Sequence, residues 1–167
     1  MLELMPNQLG YPLLSLLIFL PVAGGVLLLA VRDARAARWI ALLFSLVEVA
    51  LCIPLLTEFN TAIPHMQFGE SIPWIKDWNI HYRLGVDGIS VLFVALTTLL
   101  TTISIMVSWT AVQDRVREFM VAMLFLEAGM IGVFAALDLF LFYIFWEAML
   151  IPMYLLIGVW GGPNRLY

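Results

Sequence analysis

Three glutamates lie inside long apolar runs, and they are the residues of this chain whose type and position could do chemistry: Glu48, Glu127 and Glu147. An acidic side chain in the hydrocarbon core of a membrane costs about 3 kcal/mol or more to insert, and it usually marks a proton or ion pathway. A carboxyl group at that depth can take up and release a proton. The alternative role is that of a neutral group that bonds neighbouring helices together.

Glu147 is the strongest of the three candidates because of its neighbours. It lies near the middle of apolar residues 139–160, which at about 1.5 Å per residue can cross about 30 Å of hydrocarbon. Pro152 has no N–H to donate to the preceding turn, so we expect it to open the backbone beside the carboxyl group. Tyr143 and Tyr154 share the helix face of Glu147 and add hydroxyl groups to it. This pattern predicts proton transfer at Glu147.

Glu127 and Glu48 are weaker candidates for the same chemistry. Glu127 is near the centre of an apolar run but has no adjacent proline or tyrosine. Glu48 shares a helix face with Ser45 and Cys52, which predicts that it points into a helix bundle. For Glu48, proton transfer and plain interhelical bonding are equally good interpretations.

The composition identifies a membrane protein. Hydrophobic residues make up 63% of the chain and charged residues 12%, whereas about 25% of a soluble domain is charged. This excludes a soluble enzyme, and the absence of a basic patch excludes a nucleic-acid-binding protein. The single cysteine and two isolated histidines provide no disulfide framework, iron–sulfur ligands or zinc site. The sequence contains no glycine-rich nucleotide motif, so we expect any redox cofactor to be on partner chains.

The apolar runs predict an all-α integral membrane protein with five transmembrane helices. The predicted spans are residues 12–31, 39–56, 89–109, 119–137 and 139–160, within a single transmembrane domain over residues 1–167. Residues 57–83 form one long loop. Alternation of apolar and polar side chains from Trp78 to Leu84 predicts a short strand there, with a possible β-hairpin turning near Lys76. Asp87 and Asp138 are placed to cap the helices that follow them.

Two further patterns describe how these helices meet. Hydroxyl side chains form a stripe along the third span, and they either line a wetted path or pack against neighbours, with packing favoured. The stripe comprises Thr97, Thr101, Ser104 and Ser108. In the fourth span Ala128, Gly132 and Ala136 form a seam of small residues that predicts a close helix neighbour.

The placement of basic residues predicts an N-terminus on the outside. Six arginines lie in the first and third loops and the C-terminal tail, against Lys76 and Arg83 in the alternate segments. The six are Arg32, Arg35, Arg38, Arg115, Arg117 and Arg165. Since basic loops stay in the cytoplasm, residues 57–83 are expected to face outward.

Residues Gly85–Ser90 (GVDGIS) and the segment from Ile131 to Gly162, with its FWEAMLIPMY core, resemble the antiporter-like subunit M family of NADH-quinone oxidoreductase, respiratory complex I. The resemblance implies a larger bundle built from inverted repeats, with broken helices at proton half-channels. It places Glu147 on the essential glutamate of the family's fifth helix, and it assigns no role to Glu48 or Glu127. The family continues well past Tyr167, so this chain would be the N-terminal part of the subunit.

The resemblance also implies a function and a setting. The chain would translocate protons as a multi-pass subunit in a prokaryotic inner membrane. Its partners would be the lipid bilayer, other membrane subunits and a continuation of the same subunit that supplies lysines. NADH, FMN, iron–sulfur clusters and quinone would be bound by partner subunits. The alternatives are a subunit of a cation/proton antiporter or membrane-bound hydrogenase, or a structural scaffold.

Overall fold

Five long helices form the body of the protein. The computed structural model describes residues 4–7 and 9–162, so Arg165 and the rest of the predicted C-terminal tail lie outside the described residues. The helices are α1 (Leu13–Ala30), α2 (Ala34–Thr57), α3 (Ser90–Ala111), α4 (Val116–Ala135) and α5 (Leu139–Trp160). Each is long and apolar enough to cross a membrane. The predicted five-helix membrane fold is confirmed.

Helix α2 begins at Ala34, before the predicted residue 39. The prediction followed apolar length and therefore left out the charged first turn. The Asp33 carboxylate accepts a hydrogen bond from the Ala36 N–H at 2.8 Å and so caps the helix. Arg35 and Arg38 therefore lie within the first turns of α2 and not in a loop. Their long side chains can reach the headgroup region from there.

A small three-stranded sheet accompanies the helices, and the sequence predicted its hairpin but not its third strand. Its strands are β1 (Leu4–Pro6), β2 (Met66–Ile75) and β3 (Ile80–Val86), with β1 parallel to β2 and β2 antiparallel to β3. The predicted hairpin is confirmed, but Trp78 belongs to the short 3-10 turn Lys76–Trp78 and not to the strand. Asn79 then adopts a left-handed backbone with φ 54°, which asparagine tolerates better than most residues.

The sheet is attached to the helix bundle through a helix end. The first N–H groups of α1 have no partner within the helix, and Pro12 offers no side-chain cap. Glu70 of β2 accepts from the N–H groups of Leu14 at 2.8 Å and Ser15 at 3.3 Å. The strand thus supplies the cap that the helix lacks.

The predicted cap at Asp87 is also present. Its carboxylate accepts from the N–H groups of Ser90 at 2.7 Å and Ile89 at 3.1 Å, at the start of α3. These hydrogen bonds hold the pKa of Asp87 below its ordinary value, and the bond from Ser90 contributes most.

The interior of the bundle contains two apolar clusters with polar residues between them. The sheet-end cluster includes Ile18, Cys52, Leu55, Val94 and Ile131. The far-end cluster includes Leu28, Ala41, Ile105, Met120 and Leu124. The buried polar residues between these clusters, here called the polar layer, are Ser45, Glu48, Thr98, Thr101, Thr102 and Glu127.

Small residues let α4 approach α5 closely, as the sequence predicted. The residues that make this contact differ in part from the predicted ones. Gly132 packs directly against the ring of Phe145. Gly129 is the second contact, since a Cβ atom there would lie 2.7 Å from the Cβ atom of Met149. Ala136 lies beyond the end of α4, where it pairs with a residue of β3.

Replacing Gly129 with alanine should destabilise the bundle, because the new methyl group would meet the Met149 backbone, whose Cα atom would lie 3.1 Å away. Overpacking of this kind costs about 1–3 kcal/mol. Gly158→Ala in α5 is the matched control, since nothing lies within 4 Å of its Cβ position. Thermal unfolding of the purified protein in detergent should show a lower midpoint for Gly129→Ala only. An equal midpoint for both variants would contradict close α4–α5 packing.

Candidate proton-transfer site

Glu147 lies near the middle of α5 with its side chain exposed. In the most apolar window of α5 only 11% of the residues are buried, against 28% to 56% in the other four spans. Helix α5 therefore packs on the bundle along one narrow side. Glu147 is on the uncovered side.

The start of α5 is fixed by Asp138, as the sequence predicted. Its carboxylate accepts hydrogen bonds from the N–H groups of Phe140 at 2.9 Å and Leu141 at 3.3 Å. It also accepts from the N–H of His81 in β3 at 3.1 Å. Asp138 therefore sets the register of α5 against the sheet, and with it the depth of Glu147.

The sequence predicts that Tyr143 and Tyr154 add hydroxyl groups to the face of Glu147. The Tyr143 hydroxyl, one turn earlier, is within hydrogen-bonding reach of the Glu147 carboxyl group. Tyr154 is 76% exposed and also lies on the uncovered side of α5. The exposed site therefore contains an acid and two phenols on one side of the helix.

The sequence predicts that Pro152 opens the backbone of α5 beside Glu147. Helix α5 runs through Pro152 as one element, and the proline is buried. It lines an apolar groove of about 510 Å³ between α1, α4 and α5. Because it lies against packed neighbours, its missing N–H removes one backbone hydrogen bond without interrupting the helix.

Glu48 and Glu127 occupy a different environment from that of Glu147. Both side chains have 0% exposure. None of their four carboxyl oxygens has a hydrogen-bond partner among the described residues. The two groups are close enough to interact electrostatically. The structure thus brings Glu48 and Glu127 together, which sequence spacing could not reveal.

The hydroxyl stripe of α3 favours the packing interpretation. Thr97 and Ser108 are buried, and their hydroxyls donate to carbonyls of their own helix, those of Phe93 and Ile105, each at 2.8 Å. Ser104 is exposed and does not share that environment. Thr98 is buried as well, and its hydroxyl donates to the Ala95 carbonyl of its own helix at 2.9 Å.

Together these features define a multi-pass membrane protein with one acidic pair inside its bundle and one acid on an uncovered helix, an arrangement typical of ion-translocating assemblies. Residues 136–166 match the family model described as NADH:quinone oxidoreductase/Mrp antiporter, TM.

Whole-chain comparisons are more specific. NADH-quinone oxidoreductase subunit M of Rhodobacter capsulatus is 50% identical over 161 residues, covering 93% of this chain and 31% of the relative. NADH-ubiquinone oxidoreductase chain 4 of Arabidopsis thaliana is 43% identical, covering 91% of this chain and 31% of that protein. A chain of respiratory complex I from Thermus thermophilus with bound NADH matches with a TM-score of 0.75 and 30% identity, over 91% of this chain and 30% of that one.

The chain belongs to the family of NADH-quinone oxidoreductase subunit M, as its sequence resemblance implied. It spans 30% to 34% of the length of these and similar curated relatives.

Asp138 should make the stability of this region depend on acidity. Burial tends to raise the pKa of its carboxyl group, but hydrogen bonds from the N–H groups of His81, Leu141 and Phe140 outweigh it and hold the pKa below its ordinary value. The stabilisation is therefore present above the pKa of the unfolded chain and is lost as the pH falls through the lower folded value.

Asp138→Asn should remove this dependence, because an amide keeps an oxygen acceptor but does not titrate over this range. Thermal midpoints measured from neutral to acid pH should fall more steeply for the unmodified chain than for Asp138→Asn. Parallel curves would show that the Asp138 cap does not contribute.

Proposed function

We propose that this chain forms part of a proton-translocating membrane subunit of an NADH-quinone oxidoreductase, with Glu147 as the group that takes up and releases the proton. The observation that carries the proposal is the exposed position of Glu147 at mid-span on the least covered helix. A carboxyl group at that depth is costly against lipid, so this face of α5 calls for further protein or water.

A basic side chain on that further protein would make Glu147 a switch. An approaching cation stabilises the carboxylate and releases the proton, and its withdrawal favours proton uptake. Moving one charge through about 100 mV requires about 2.3 kcal/mol. A change of about two pKa units between the two states supplies that much. Tyr143 can donate a hydrogen bond to the carboxylate form.

The partners follow from this role. They would be the other membrane subunits of the complex, the lipid bilayer, and a continuation of the same subunit that covers α5. In the part of the chain that the structure describes, no three His, Cys, Asp or Glu residues come together as a metal site. NADH, FMN, iron–sulfur clusters and quinone would be bound by partner subunits. The basic loops support an N-terminus outside a prokaryotic inner membrane.

A cation/proton antiporter is the second candidate, because the description of the matching family model names the Mrp antiporter beside the oxidoreductase. The relatives that cover most of the chain favour the oxidoreductase, since they are named as its subunits. Membrane vesicles distinguish the two: an oxidoreductase moves protons when NADH is supplied, and an antiporter does so when a sodium or potassium gradient is applied.

Replacing Glu147 with glutamine should abolish or strongly reduce proton pumping while the complex still assembles and oxidises NADH. Removal of a positioned proton-transfer group commonly costs about 100-fold or more in rate. The assay is the number of protons moved per NADH oxidised in sealed membrane vesicles. Glu118→Gln is the matched control, because Glu118 lies in the first turn of α4. Full pumping by Glu147→Gln would refute the assignment and leave a scaffolding role.

A further inference from the structure

The acidic pair in the polar layer is not used by the site at Glu147. Glu48 lies between Ala41 and Cys52 on α2, which belong to the far-end and sheet-end clusters respectively. Glu127 lies in the same way between Leu124 and Ile131 on α4. Both acids therefore lie about halfway along the bundle, between the sheet-end cluster and the far-end cluster.

Contacts with α1 show that the two acids lie at one level. A Cβ atom on Gly24 would lie 2.8 Å from the ring of Phe44 and 3.1 Å from a methyl group of Leu124, so these residues share one depth. The helices α2 and α4 run in the same direction, because α1 to α4 alternate through the bundle. Glu48 follows Phe44, and Glu127 follows Leu124, by about one turn.

The pair is a separate site from Glu147. Gly129 faces α5, where its Cβ position meets Met149. Glu127, two residues earlier, lies about 200° around α4 from Gly129 and therefore on the far side from α5. The backbone of α4 stands between the two sites.

No basic group is available to neutralise the pair among its described neighbours. The helices α1 and α3 contain no acidic or basic residue. The basic residues of α2 and α4, Arg35, Arg38 and Arg117, lie near the beginnings of their helices, about 15 Å or more along the helix from Glu48 and Glu127. The other titratable neighbour is Cys52, whose thiol interacts with Glu48.

A purely structural role would require partners that these carboxyl groups lack. A buried polar group that holds helices together does so through hydrogen bonds, and a buried polar group without them is costly. All four oxygens of the pair are without such bonds among the described residues. Bound protons reduce this cost, because they remove the charge and convert an acceptor into a donor.

We propose that Glu48 and Glu127 form a second proton-binding site, inside the bundle, where the two carboxyl groups bind and release one proton as a unit. With one proton bound, the O–H of one acid can donate to the carboxylate of the other. A second proton forms an O–H bond on that carboxylate, and on release the bond breaks and the proton passes to water. Two close carboxyl groups titrate as a pair and not as separate acids.

The site's participation in pumping rests on the function proposed above, whereas its proton binding does not. Both can be measured in the assembled complex with Glu48→Gln, Glu127→Gln and the double variant. Ser45→Ala is the matched control, because Ser45 is buried on the same face of α2 and its hydroxyl donates to a carbonyl of its own helix. The readouts are the infrared signal of protonated carboxyl groups with its shift in D₂O, and protons pumped per NADH oxidised.

If the two acids bind one proton together, removing either acid should abolish that shared binding. The exchange-sensitive change of the carboxyl signal with pH should disappear to the same extent in both single variants and the double variant, and remain in Ser45→Ala. The pumping loss of the double variant should be at least about twofold smaller than the product of the single losses, the coupling expected of two groups that act as one unit. Independent, multiplying effects would overturn the proposal, as would an unchanged infrared signal.

Two further sets of variants separate the failure of the proposed pair from a failure of assembly and from a failure of the Glu147 assignment. If a glutamine variant does not assemble, Glu48→Asp and Glu127→Asp keep the acid; each should alter the same carboxyl signal, and an unaltered signal would overturn the pair. Glu147→Gln should leave the signal of the pair in place. If Glu147→Gln pumps normally while the signal behaves as a pair, the function assigned to Glu147 fails and the interior site stands.

Discussion

The free-energy cost of an ionisable side chain in hydrocarbon is the constraint on which this structure depends. That cost is about 3 kcal/mol or more for each acid, so each must be removed from lipid or neutralised. The chain deals with its three acids in two ways. Glu48 and Glu127 are enclosed by the bundle with no exposure, whereas Glu147 is left on the uncovered side of α5. The first arrangement is complete within this chain, and the second calls for a neighbour.

The rest of the fold places α5 so that this neighbour can be met. Asp138 joins the start of α5 to β3 through the N–H of His81, and Glu70 joins β2 to α1. Gly129 and Gly132 then bring α5 against α4 along one narrow side. The small sheet thus holds the starts of α1 and α5 together, because Glu70 caps α1 and His81 bonds to the Asp138 cap of α5.

Local features of the fold could be predicted from the sequence because they depend on residues close together in the chain. Apolar length gave the five helices, and the caps at Asp87 and Asp138 follow from side chains that reach N–H groups two or three residues away. Strand β1 escaped prediction because three residues carry no period, and it exists only by pairing with β2. The start of α2 escaped because apolar length alone ignores a charged first turn capped by Asp33.

The sequence could predict each candidate acid separately but not their arrangement in space. Each mid-span acid stands out as an ionisable residue in an apolar run, yet spacing within one helix says nothing about which acids meet across helices. The pairing of Glu48 with Glu127 depends on the close approach of α1, α2 and α4 at Gly24. Pro152 illustrates the same limit, because its role depends on the side of α5 that packs.

The proposed role of Glu147 requires that protein or water, and not lipid, covers this side chain in the assembled complex. A spin label at position 147, introduced by Glu147→Cys in a chain whose sole cysteine is removed by Cys52→Ser, measures this directly. If protein or water covers the site, oxygen dissolved in the lipid should relax the label only weakly. Relaxation as strong as that of a label in open bilayer would contradict it.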